Sequence, residues 1–114
     1  MITEDQVNDA LQYLRDSAPK AAVARAQSKM LEKYLGVVEA LQKAQQKALE
    51  GSVSNAAAQD AARGSPEYKN ALDAWQEALR RDAEFTMLRE AASARIDAWR
   101  SMEATKRAEG KAYG

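Results

Sequence analysis

Arg89, Arg95, Arg100, Lys106 and Arg107, with Arg80 and Arg81 just upstream, make the last third of the chain its most guanidinium-rich part. Interleaved with Trp99, these cations could offer charge and a stacking plane to a single strand or to phosphates. Acids are mixed among them almost one for one, at Glu84, Glu90, Asp97 and Glu103. A pair such as Glu103 with Arg107 has the spacing of a weak surface bridge, worth about 0.3–0.5 kcal/mol. Trp99 also falls on the apolar stripe of its segment rather than on the polar face, so the ring is expected in the core. Nucleic acid therefore enters as a weak candidate partner for the arginine face, behind a protein partner.

The chain has no His and no Cys. That removes zinc sites of the usual kind, thiol nucleophiles, disulfides and histidine acid–base chemistry. A two-carboxylate site would need acids converging from separate helices, whereas these are spread along polar faces. No glycine-rich phosphate loop or nucleophile elbow is present. The expectation is a non-enzyme with no catalytic, metal or cofactor site and no small-molecule substrate. Tyr13, Tyr34 and Tyr68 are expected at the core edge with their hydroxyls reaching water, and Met30, Met87 and Met102 as gap-fillers.

The elements that would carry these residues are helices. From Pro66 to about Glu109 the apolar set Tyr68, Leu72, Trp75, Leu79, Phe85, Leu88, Ala92, Ile96, Trp99 and Met102 recurs at steps of three and four with one slip. The slip, near Asp82 to Phe85, divides the stripe into two registers. One account is that part packs within the chain and part against another copy, with Phe85, Leu88, Trp99 and Met102 as the self-association residues; chance drift is the other. A second stripe runs from Val23 to Leu49, with a heptad-like row Gln27, Met30, Tyr34, Val37, Leu41, Ala44 and Ala48 flanked by Leu31, Leu35 and Val38. Exposed apolar faces of that length are unstable in water, so the two helices must find each other or a partner.

Boundaries follow from punctuation. Thr3 and Gln6 form a capping-box pattern opening a helix over about 4–16, and Pro19 is expected to end it and start another over 19–50. Gly36 inside that helix is read as a place where a neighbouring helix approaches closely, or as a kink. Gly51 is a C-terminal stop, residues 51–65 a connector with a short helix or turn over Asn55 to Arg63, and Ser65-Pro66-Glu67 the start of a helix over 66–109 that ends at Gly110.

At 114 residues the chain is expected to be one domain. Lys+Arg and Asp+Glu both number 17, a balance that argues against a strongly electrostatic nucleic-acid binder. The hydrophobic fraction of 46% leans on alanine and only 6% is aromatic, so the large-residue core is thin and self-association would supplement it. The acidic start lacks a signal-peptide core and no stretch approaches a membrane span, so a cytoplasmic protein with no membrane contact is expected.

Several pieces, in order, resemble a group of small helical proteins encoded by phages and prophages, which tend to lie among replication and recombination genes. These are Tyr13-Leu14-Arg15-Asp16 with Ala18-Pro19, Ala24-Arg25-Ala26, Leu31-Glu32-Lys33-Tyr34, Glu67-Tyr68, and Ala94-Arg95-Ile96-Asp97-Ala98-Trp99-Arg100 with Ala104 and Arg107. The group carries no established active site to transfer. The resemblance implies a phage or prophage origin, a bacterial host cytoplasm and a possible link to DNA metabolism.

The reading is an all-α protein: a long antiparallel helical hairpin with a short N-terminal helix, completed by dimerisation. It is expected to act as a non-enzymatic interaction protein, an accessory to DNA replication or recombination through protein or single-stranded nucleic-acid contacts. The rival is an inhibitor that occludes a host protein. A secreted hairpin with a Trp-x-Gly turn is discounted, because the connector has no Trp and Trp75 is followed by Gln76-Glu77.

Overall fold

The computed structural model describes residues 1–113 as three helices, α1 (Glu4–Glu50), α2 (Asn55–Arg63) and α3 (Pro66–Tyr113), with no strand among them. The all-α class and the long helical hairpin formed by α1 and α3 are as expected. No helix is long and apolar enough to cross a membrane among the described residues.

Local chemistry sets most of the helix ends. Thr3 and Gln6 cap α1 reciprocally: the Thr3 amide donates to Gln6 Oε1 at 3.0 Å and the Gln6 amide to Thr3 Oγ1 at 3.2 Å. Gly51, at φ 76°, turns the chain out of α1 with its amide on the Lys47 carbonyl. Ser54 Oγ accepts from the Ala57 amide and caps α2, which occupies the residues of the connector, Asn55–Arg63, where a short helix or turn was expected. Ser65 Oγ accepts from the Tyr68 amide and opens α3. Gly110 does not stop α3: it lacks a left-handed φ and no proline follows, so the helix runs on to Tyr113. The tail from Gly110 to Gly114, expected to fray, is helical as far as Tyr113, and Gly114 lies outside the described residues.

Pro19 does not divide the first helix. The segments expected over 4–16 and 19–50 are one helix of 47 residues with the proline inside it. A proline in a helix interior costs about 3 kcal/mol, because it removes a hydrogen bond and its ring presses on the preceding turn. Here the donor is missing opposite the Arg15 carbonyl. The ring itself faces solvent. On the turn before the proline, α3 supplies two contacts: Arg89 Nη1 donates to the Leu14 carbonyl at 2.8 Å and to Ser17 Oγ at 2.7 Å. A hydrogen bond from a charged donor is worth about 1.5–3 kcal/mol. The two bonds fasten this turn to α3, and neither replaces the one lost at the Arg15 carbonyl.

The residues gather in two compact units, Met1–Ala22 with the chain from Ala83 onward, and Val23–Asp82. In the first, Val7 and Ala10 pack with Ala92 and Ile96, and Ile2, Tyr13, Leu14 and Trp99 close over them. In the second, Ala24, Val38, Ala58, Ala62, Ala71 and Ala78 are buried. Along α1 the inward positions are Val7, Ala10, Leu14, Ser17, Ala21, Ala24, Ser28, Leu31, Leu35 and Val38, alternating steps of three and four without a break. Along α3 they are Tyr68, Ala71, Trp75, Ala78, Asp82, Phe85, Arg89, Ala92, Ile96 and Trp99, in the same alternation. The slip expected near Asp82 is therefore absent. It arose from following large apolar residues alone, whereas Ala71, Ala78, Asp82 and Arg89 complete one seven-residue repeat.

Two further expectations change. Met30 and Met87 are 60% and 69% exposed and fill no gap in the core. The Tyr13 hydroxyl is buried without a partner instead of reaching water, as is Trp75 Nε1.

In the second unit α2 is fastened to α1 by Glu39. Its carboxylate accepts from Gln59 Nε2 at 2.9 Å and from Arg63 Nε at 3.2 Å. The hydrogen bond from Gln59 holds the Glu39 carboxyl below its ordinary value, against desolvation and with help from the Arg63 charge.

Two predictions follow from these contacts. Arg89→Met should destabilise the chain by about 2–3 kcal/mol in urea titrations, because the Leu14 carbonyl and the Ser17 hydroxyl lose a charged donor. A cost below about 0.5 kcal/mol would show that these bonds do not hold the turn to α3. Because the folded-state Glu39 carboxyl is depressed, its stabilisation is present above the unfolded carboxylate value and lost as pH falls through the folded one. Glu39→Gln should flatten that part of an acid titration of stability.

Candidate functional site

The α1 segment of the second unit carries three adjacent seven-residue rows, each one residue on from the last. The inner row, Ala24, Ser28, Leu31, Leu35 and Val38, is buried or half-buried. The row one residue earlier, Val23, Gln27, Met30, Tyr34, Val37 and Leu41, points outward. Its apolar members are 52–60% exposed: Val37 52%, Tyr34 53%, Val23 56%, Leu41 58% and Met30 60%. Earlier by one more residue comes a rim of Lys29, Lys33, Gly36, Ala40, Lys43 and Lys47. Gly36, Ala40, Ala44, Lys43, Lys47 and Glu39 together line a shallow depression on this side of the helix.

Helix α1 is thus turned by about 100° from the orientation the sequence suggests. The row Gln27, Met30, Tyr34, Val37 and Leu41 was expected inside, yet the row that mixes Ala24 and Ser28 with Leu31, Leu35 and Val38 is. Small residues among large ones let two helices pack at interior density, and the inward row of α3 is mixed in the same way, with Ala71 and Ala78 between Tyr68, Trp75 and Phe85. Gly36 also departs from expectation. Helix α1 runs through it, and a Cβ built there would meet nothing within 4 Å, so no helix of this chain approaches it. It costs about 1 kcal/mol relative to alanine with no internal return.

The cations singled out on α3 do not converge. Arg89 is half-buried and committed to Leu14 and Ser17. Arg95 and Arg100 are exposed, but five residues of helix set them about 140° apart, on opposite flanks of the inward row. Lys106 lies on the Arg95 side and pairs with Glu103 at 3.5 Å, while Arg107 lies on the Arg100 side with Nε on the Glu103 carbonyl. Of the self-association set, Phe85 and Trp99 occupy the inward row and Met102 is half-buried beside it. Leu88 is 48% exposed. Among the described residues no three carboxylates gather so as to hold a metal ion. The exposed row and its lysine rim were missed as a surface; the signal available was the presence of several seven-residue rows on one helix, only one of which α3 can cover.

Substitutions should separate the rows by stability. Val37→Ser and Met30→Ser should stay within about 0.5 kcal/mol of the parent, whereas Ala24→Leu should cost about 1–3 kcal/mol through overpacking. Gly36→Ala should stabilise the chain by up to about 1 kcal/mol. Chemical denaturation checks all four, and a large loss at Val37 with none at Ala24 would invert the assignment of faces. Comparison of the chain with protein-family models, with curated proteins and with solved structures found no match.

Proposed function

We propose that this is a non-enzymatic interaction protein whose working surface is the outer row of α1. A single observation carries the reading: Met30, Tyr34, Val37 and Leu41 form an exposed apolar row with the same spacing as the row that seats α3. Exposed apolar patches rimmed by polar groups mark protein–protein contacts, and a seven-residue row is suited to a helical partner. The resemblance in sequence supplies the setting, an accessory role in phage or prophage DNA replication or recombination in the cytoplasm of a bacterial host. Occlusion of a host protein would use the same face on a different partner.

Protein contact is favoured over single-stranded nucleic acid because the α3 cations are divided between two flanks and interspersed with acids. Self-association remains part of the proposal through the exposed Leu88 and the edge of Met102, and would show as a melting temperature that rises with protein concentration.

A photoreactive side chain in place of Tyr34 should form adducts with a partner protein in host extract, whereas one in place of the exposed Asp97 on α3 should not. Adducts only from position 97 would overturn the assignment. Salt-sensitive retention of labelled single-stranded DNA, lost in an Arg95→Gln, Arg100→Gln variant, would move the working surface to α3.

A further inference from the structure

Gly36 weakens α1, and nothing in the chain uses the space it leaves. Its φ is not left-handed, and a Cβ there would touch no other group. It is followed on the same rim by Ala40, with Ala44 one further turn along, and these small residues floor the depression on α1. Val37 and Leu41 stand exposed on one side of that floor. At both ends of the rim are lysines, Lys29 and Lys33 before the glycine, Lys43 and Lys47 after the alanine. Small residues at the centre of a helix face permit close approach of another backbone, and the apolar wall beside them gives that backbone something to bury.

We propose that this face seats an amphipathic helix of another protein, crossing at Gly36 and Ala40, with acidic side chains flanking its apolar row. The inference rests on the reading of the outer row as an interaction surface and names the chemistry of its occupant. The charge selects it. Four lysines border the face, and the acid in the depression, Glu39, is already engaged by Gln59 and Arg63. A second copy of α1 would bring lysine against lysine, which disfavours it. Nucleic acid would be drawn to the lysines but would leave the Val37 and Leu41 wall unused.

The test uses the whole chain and two synthetic helical peptides with one apolar row, flanked by Glu in one and by Lys in the other. Titration should show the Glu-flanked peptide binding at least about tenfold more tightly, with affinity falling as salt rises. Gly36→Leu should raise the melting temperature of the free chain and yet weaken binding of the Glu-flanked peptide by about tenfold or more, two opposite movements that a purely structural glycine would not produce. Equal binding of both peptides, no binding of either, or an unchanged affinity in Gly36→Leu overturns the proposal. So does occupation of the face by a second copy, seen as a dimer that Gly36→Leu dissociates, or by anionic phosphatidylglycerol vesicles in preference to the peptide. Adducts at position 34 with a partner whose contacting helix is basic would defeat this inference alone; absence of adducts there would defeat the wider reading.

Discussion

Small side chains set between larger ones along a single seven-residue seam are the constraint on which the fold depends. Ala10, Ser17, Ala24 and Ser28 on α1, like Ala71, Ala78 and Ala92 on α3, are buried while offering little surface of their own. Such residues let two helices lie close while their larger neighbours fill the space between. Trp99 demonstrates the arrangement in the first unit, where it closes over Val7, Ala10, Ala92 and Ile96. Once that mixed row faces inward, helical geometry leaves no freedom for the rest of α1: the next row must lie at the edge of the interface and its apolar residues must meet solvent. The exposed face is a consequence of the same requirement that builds the core.

Arg89 shows how a charged residue can sit in an apolar repeat without disturbing it. Its guanidinium finds two oxygen acceptors across the interface, and one is a backbone carbonyl in the turn that Pro19 deprives of an amide. A seam arginine needs acceptors, and here it finds them in the turn just before Pro19, which α3 thereby grips from across the interface. The helix of 47 residues runs through that proline with its ring turned to solvent.

The helical class, the capping residues, the Gly51 turn and the start of α3 at Ser65 and Pro66 were legible because each depends on local chemistry near one or two residues. The continuity of α1 was not, because a proline is locally a stop, while the contacts made beside it, such as Arg89 on Leu14 and Ser17, come from far along the chain. The inward face of α1 was misread for a related reason. Periodicity identifies a row but not which of two rows a partner will cover, and counting only large apolar residues passes over Ala24 and Ser28, which are buried. The arginines of α3 do not share one face for a third reason: side chains close in sequence are divided by helix rotation, as Arg95 and Arg100 are. The lysine rim was equally visible in the sequence, but it acquires meaning only when the neighbouring row is known to face outward.

No large side chain is completely buried among the described residues. Heat-capacity change on unfolding scales with the apolar area newly exposed to water. A chain whose buried residues are mostly alanine, with Ser17 and Ser28 and only Val7, Val38 and Ile96 as larger apolar members, withholds little such area, so its heat-capacity increment per residue should fall below the ordinary globular value. The curvature of its folding free energy against temperature is then shallow: enthalpy and entropy drift little, and cold destabilisation is weak. A thin interior thus widens the range of temperature over which the balance of forces stays nearly the same.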